Sequence, residues 1–102
     1  MSLFEQLREE HQALALLSVL HRSGYAGAAN SRILADYLEA IGLGALPEVV
    51  TARLERLERQ GLVKLSLAED IRVVTLTQRG EEVATGKREA EGVRRPGRDN
   101  PY

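Results

Sequence analysis

Few residues in this chain could do chemistry. His11 and His21 are the only histidines, ten positions apart, and there is no cysteine. A zinc site needs about four nitrogen, sulfur or carboxylate ligands; two separated imidazoles without a thiolate do not supply them, so no metal is assigned. Ser18, His21 and Asp36 have the residue types of a hydrolytic triad. No serine sits in the Gly-x-Ser-x-Gly turn that exposes such a nucleophile, and a triad is defined by geometry, not composition. No enzymatic activity and no cofactor are expected. What remains is charge: 14 Lys and Arg against 15 Asp and Glu, for a net charge of −1. Nucleic-acid affinity comes first from cations that neutralise phosphates, so the balance leans against strong DNA binding. The distribution is uneven, with 9 cations against 12 anions in residues 1–85 and 5 against 3 in residues 86–102.

The elements that must position these charges follow from length and pattern. A chain of 102 residues with 43% hydrophobic content, one Phe, three Tyr and no Trp supports one aliphatic core. Residues 1–86 read as that domain and residues 87–102 as a basic, mobile tail, because the tail has few apolar residues and is broken by Pro and Gly. Met1-Ser2-Leu3-Phe4-Glu5 lacks the basic-then-apolar order of a signal peptide, and the apolar run Ala13 to Leu17 is too short to cross a bilayer. A cytoplasmic location without membrane contact is expected.

Ser2 with Glu5 three residues on reads as a capping box opening a first helix. That helix is amphipathic at first, then apolar nearly all round from Ala13 to Leu20, so its second half should be buried; Gly24 ends it. Asn30 or Ser31 caps a second helix with the stripe Ile33, Leu34, Tyr37, Leu38 and Ile41. Gly42 and Gly44 stop it, with Leu43 and Leu46 turned toward the core, and Pro47 opens a third helix carrying Val50, Leu54 and Leu57. From Leu62 the apolar period changes from helical to alternating. Leu62 to Leu67 and Ile71 to Leu76 read as a hairpin closed by Ala68-Glu69-Asp70, and Thr77 caps a short last helix ending at Gly86.

Helix, Gly61-Leu62-Val63, hairpin, then Leu76-Thr77-Gln78-Arg79-Gly80 resembles the second half of winged helix-turn-helix domains of the MarR and ArsR types. The resemblance implies an α+β winged helix of three helices, a two-stranded wing and a short C-terminal helix. Over nearly the whole chain, Arg8 to Gln12, the Leu38 to Gly44 turn, Leu57 to Val63, Leu76 to Gly80 and Gly92-Val93-Arg94-Arg95-Pro96 are similar to the small winged-helix proteins of Mu-like phages and prophages. That similarity implies a phage origin, in the cytoplasm of a bacterial host, and carries no catalytic residue. The winged-helix fold implies, by analogy, a DNA-binding regulator or accessory factor. The alternative is a winged helix used for protein–protein contact in phage packaging or assembly.

Where such a domain binds DNA, the third helix lies in the major groove. The cations available for weak, sequence-tolerant contact with double-stranded DNA are Arg53, Arg56, Lys64, Arg72, Arg94, Arg95 and Arg98, with Thr51 on the groove side. Glu48, Glu55 and Glu58 interleave with the helix arginines as on a solvated face, and the wing tip is acidic at Glu69-Asp70. A three-residue hairpin loop places Val63, Leu65, Leu67, Ile71 and Val73 on one wing face, too apolar to leave in water, so a homodimer through that face, joined by Leu3 and Phe4, is expected.

Overall fold

The computed structural model describes residues 1–23 and 26–102. Its elements are α1 (Leu3–Arg22), β1 (Ala28–Asn30), α2 (Ser31–Ala40), α3 (Pro47–Arg59), β2 (Val63–Ala68), β3 (Ile71–Leu76) and α4 (Gln78–Ala84). The fold is α+β, with four helices beside a three-stranded antiparallel sheet in the order β1-β3-β2. The expected wing supplies two of these strands, β2 and β3. The third arises because Ala28 to Asn30 lie against Thr75, Val74 and Val73 of β3, a pairing too short to show as an alternating pattern.

Helix starts are set by side chains that accept from orphan backbone donors. Ser2 accepts from the Glu5 amide at 3.1 Å, Asn30 from Ile33 at 2.9 Å, and Thr77 from Gly80 at 3.0 Å. Pro47 opens α3. Ser23 follows the last turn of α1; Gly24, the terminator expected from sequence, lies outside the described residues, as does Tyr25. The Thr77 hydroxyl also donates to the Gly61 carbonyl at 2.7 Å, tying the start of α4 to the end of α3. Gly80 is buried against the Leu62 carbonyl, where a Cβ would overlap the oxygen, so the Leu-Thr-x-x-Gly spacing is a packing requirement.

The core takes Ala13, Ala15, Leu16, Leu17 and Leu20 from α1, Leu34 and Leu38 from α2, Val50, Leu54 and Leu57 from α3, and Leu62, Val63, Val74, Val83 and Ala84 from the rest. The apolar stripe of α2 is only partly used. Leu34 and Leu38 are buried, but Ile33 is 57% and Ile41 37% exposed, and Leu46 faces solvent at the head of α3 while Leu43 packs inward. The reason is that a ten-residue helix contacts α1 and the sheet along a narrow line, narrower than its stripe.

The hairpin register differs from the sequence reading by one residue. Ala68 pairs with Ile71, Leu67 with Arg72, Leu65 with Val74 and Val63 with Leu76. The loop is the two-residue turn Glu69-Asp70, with φ of 51° and 69°, the primed geometry whose twist matches the flanking strands. A one-residue slip exchanges faces. Val63, Leu65 and Leu67 therefore share a face with Arg72, Val74 and Leu76, while Ile71 and Val73 lie on the other with Lys64, Ser66 and Ala68. The five-residue apolar wing face expected at a dimer contact does not exist as one surface: Val63 is buried at 2%, and Leu67 and Ile71, 71% and 48% exposed, point to opposite sides of the tip.

Glu69 and Asp70 both occupy a left-handed conformation that costs non-glycine residues about 1 kcal/mol or more. The double substitution E69N/D70G should therefore stabilise the fold by about 1 kcal/mol and raise the thermal midpoint by roughly 4–8 °C, measured by circular dichroism melting.

Candidate nucleic-acid interface

The eight residues offered for DNA contact fall into three groups. Arg53 is drawn inward: its Nη2 is 2.8 Å from Glu9 Oε1, and its Nε donates to Gln12 Oε1 at 3.1 Å. Gln12, 2% exposed, passes the connection on by donating Nε2 to the Leu43 carbonyl at 2.9 Å. Arg8 completes the link, donating to the carbonyls of Gly42 at 3.2 Å and Gly44 at 2.6 Å. One helical face of α1 thus holds both α3 and the turn before it, and Arg53 is a structural residue of that contact. Spacing could not reveal this, although a glutamine beside the apolar run Ala13 to Leu17 was the visible clue.

Thr51 is half-buried in a shallow cleft of about 380 Å³ between α2 and α3, shared with Ser31, Arg32, Ala35, Asp36, Pro47 and Val50. Arg56 is exposed on α3, as are Glu48, Glu55 and Glu58. Glu58 also serves the sheet, where its carboxylate accepts the Leu65 amide at 2.9 Å and so caps the outer edge of β2. On the hairpin, Lys64 and Arg72 lie on opposite faces and have no ion-pair partner among the described residues.

Residues 87–102, read from sequence as a mobile tail, lie back along α1 and α3. The Gln60 amide donates to the Glu91 carbonyl at 2.8 Å, and the Arg94 amide to the Glu10 carbonyl at 3.0 Å. Asn100 donates to the Ser18 hydroxyl at 3.2 Å, and the Tyr102 hydroxyl is 2.7 Å from His11 Nδ1, with the rings edge to face at 5.8 Å. Ala90, Val93 and Tyr102 pack against the core cluster. Burial, with Tyr37 adding to it, pushes the Tyr102 phenol above its ordinary 10.0. Three of the five tail cations are compensated, Arg94 by Glu10 at 3.5 Å, Arg88 by Glu82 at 2.9 Å, and Arg95 by Glu89, leaving Lys87 and Arg98 exposed. Val93 and Tyr102, the apolar anchors of this segment, went unrecognised because each stands alone among polar residues.

The residue types of a triad are not assembled. Ser18 meets Asn100, His21 lies 3.9 Å from Glu81, and Asp36 lines the α2–α3 cleft. Among the described residues no group of three or more His, Cys, Asp or Glu could hold a metal, and no helix is long and apolar enough to cross a membrane.

Comparison with known proteins gives the kinship of this α+β domain. No family model matches the chain. Over 90 residues it is 36% identical to the uncharacterized protein gp26 of Escherichia phage Mu, covering 88% of this chain and 91% of that protein. The chain belongs to the gp26 family of phage proteins.

Arg53 satisfies a buried amide and a half-buried carboxylate, so R53A should cost about 1–3 kcal/mol. R59A, on the exposed side of the same helix, should stay within about 0.5 kcal/mol of the parent. Urea unfolding midpoints at an unchanged denaturant slope check the contrast; equal effects would mean that the inward contact is not structural.

Proposed function

We propose that this phage protein is a winged-helix DNA-binding protein, a transcriptional regulator or DNA accessory factor without catalytic activity, whose DNA contact is weak and sequence-tolerant. The observation that carries the reading is the succession of α2, a tight turn and α3 followed directly by a hairpin, in a sheet of order β1-β3-β2. That is the arrangement in which a helix enters the major groove while a wing reaches the flanking backbone. Lys64 and Arg72 supply the wing cations, and Arg56 and Arg98 are exposed elsewhere.

Weak binding follows from the rest of the geometry. With Arg53 committed to Glu9, α3 turns Glu48, Glu55 and Glu58 to solvent and has no free arginine in its first half. Those carboxylates repel phosphate, and one glutamate on a cytosine amino group would give only about 1–3 kcal/mol of discrimination. The same acidic surface, with Glu69-Asp70 at the wing tip, favours a second reading: a winged-helix scaffold used for protein contact in phage packaging or assembly.

A salt series on random duplex DNA separates the two. The DNA reading expects binding at low salt that falls steeply as salt rises, with a slope reduced by K64A and R72A equally for all sequences. No binding at low salt would leave the protein-contact reading. Nanomolar, sequence-selective binding at physiological salt would contradict the weak phosphate mode.

A homodimer remains part of the proposal, through a smaller surface than the wing face: Leu3 and Phe4, each 71% exposed on the first turn of α1. Light scattering at tens of micromolar should give a dimer mass that falls toward the monomer in the L3S/F4S variant. A monomeric parent would overturn it.

A further inference from the structure

We propose that residues 87–102 are a strap that gates the chain's contact with nucleic-acid phosphates, closed in the structure and displaced when DNA binds; this rests on the DNA-binding reading above. The strap leaves α4 at Gly86, crosses the second half of α3 at Gln60 and Arg56, and reaches α1 at Glu10, His11 and Ser18. At the crossing, Gly92 adopts φ +77° with its backbone flat against the Arg56 guanidinium: a Cβ there would come within 2.8 Å of Nη2. Arg94, two residues on, is bound twice to Glu10, through its amide and its guanidinium.

Closed, the strap therefore covers one side of the exposed arginine on α3 and spends Arg94 on a carboxylate of α1. A phosphate that draws the Arg94 guanidinium from Glu10 removes one of the contacts that hold the strap and so shifts it toward release. Lifting it frees Arg56 and Arg94 together and carries Arg88, Arg95 and Arg98 on a flexible arm. The strap has no helix or strand of its own, and its polar anchors are single hydrogen bonds that water can replace. When only an open fraction binds, the apparent dissociation constant rises in inverse proportion to that fraction.

The test uses a reversible lock in the full chain. Ser18 and Asn100 already touch, and the protein has no cysteine, so S18C/N100C can form one disulfide only. On random duplex DNA at low salt the oxidised chain should bind roughly tenfold or more weakly than the same chain reduced. G92A, strained by the positive φ while the flexible end of Arg56 swings aside, should act oppositely, binding several-fold more tightly than the parent with faster tryptic cleavage after Arg94 and Arg95. Equal affinity of the oxidised and reduced chains overturns the gate, as does G92A cleaved and bound like the parent. Absence of binding by every form, G92A included, overturns the DNA reading itself.

Discussion

The arrangement of the helices turns on one buried amide. Gln12 sits in the middle of α1 at 2% exposure, where an unpaired carboxamide would cost several times what a made hydrogen bond returns. Its oxygen accepts a hydrogen bond from Arg53 Nε and its nitrogen donates one to the Leu43 carbonyl. The first contact sets the rotation of α3, because only one face of that helix can bring a guanidinium to α1. The second fixes the turn between α2 and α3, which Arg8 also grips through the Gly42 and Gly44 carbonyls. The apolar residues say that these helices pack; the polar ones say how.

That solution has a functional consequence. The arginine nearest the start of α3, the one the DNA-binding reading would call on first, is held by Glu9 and Gln12 on the inner side. What α3 turns outward is mainly carboxylate, and one of these, Glu58, is itself employed in blocking the β2 edge. On the DNA-binding reading proposed above, stability and phosphate contact would compete for the same short helix, whose first cation is held by the inward contact.

Local signals in the chain were legible where a single residue type answers a single backbone need. Ser2, Asn30, Pro47 and Thr77 mark the helix starts found in the structure, and the change from helical to alternating period at Leu62 marks the hairpin. The hairpin register was not legible, because Glu69 is a poor residue for a primed turn and no glycine marks it, and a loop of three explains the same letters at the expense of every side-chain direction beyond it. The exposed Ile33 and the inward Arg53 share a different cause. Periodicity states which side of a helix is apolar, not how wide a strip its neighbours cover, nor which of several arginines finds a carboxylate 44 residues away.

The docking of residues 87–102 has its origin in α1. From Ala13 to Leu20 that helix is apolar on nearly all sides, and a helix of that kind must be covered on all sides. The sheet, α2 and α3 take one flank and α4 another, yet Leu14, which stands outside the main core cluster, is still only 2% exposed. It lies on the helical face between His11 and Ser18, the two residues that Tyr102 and Asn100 reach. A segment too polar to fold alone is thus recruited as the missing wall of a helix too apolar to stand open. The wall is built of separate contacts around two apolar anchors, Val93 and Tyr102, and two of its arginines are held by carboxylates of the helices it lies against.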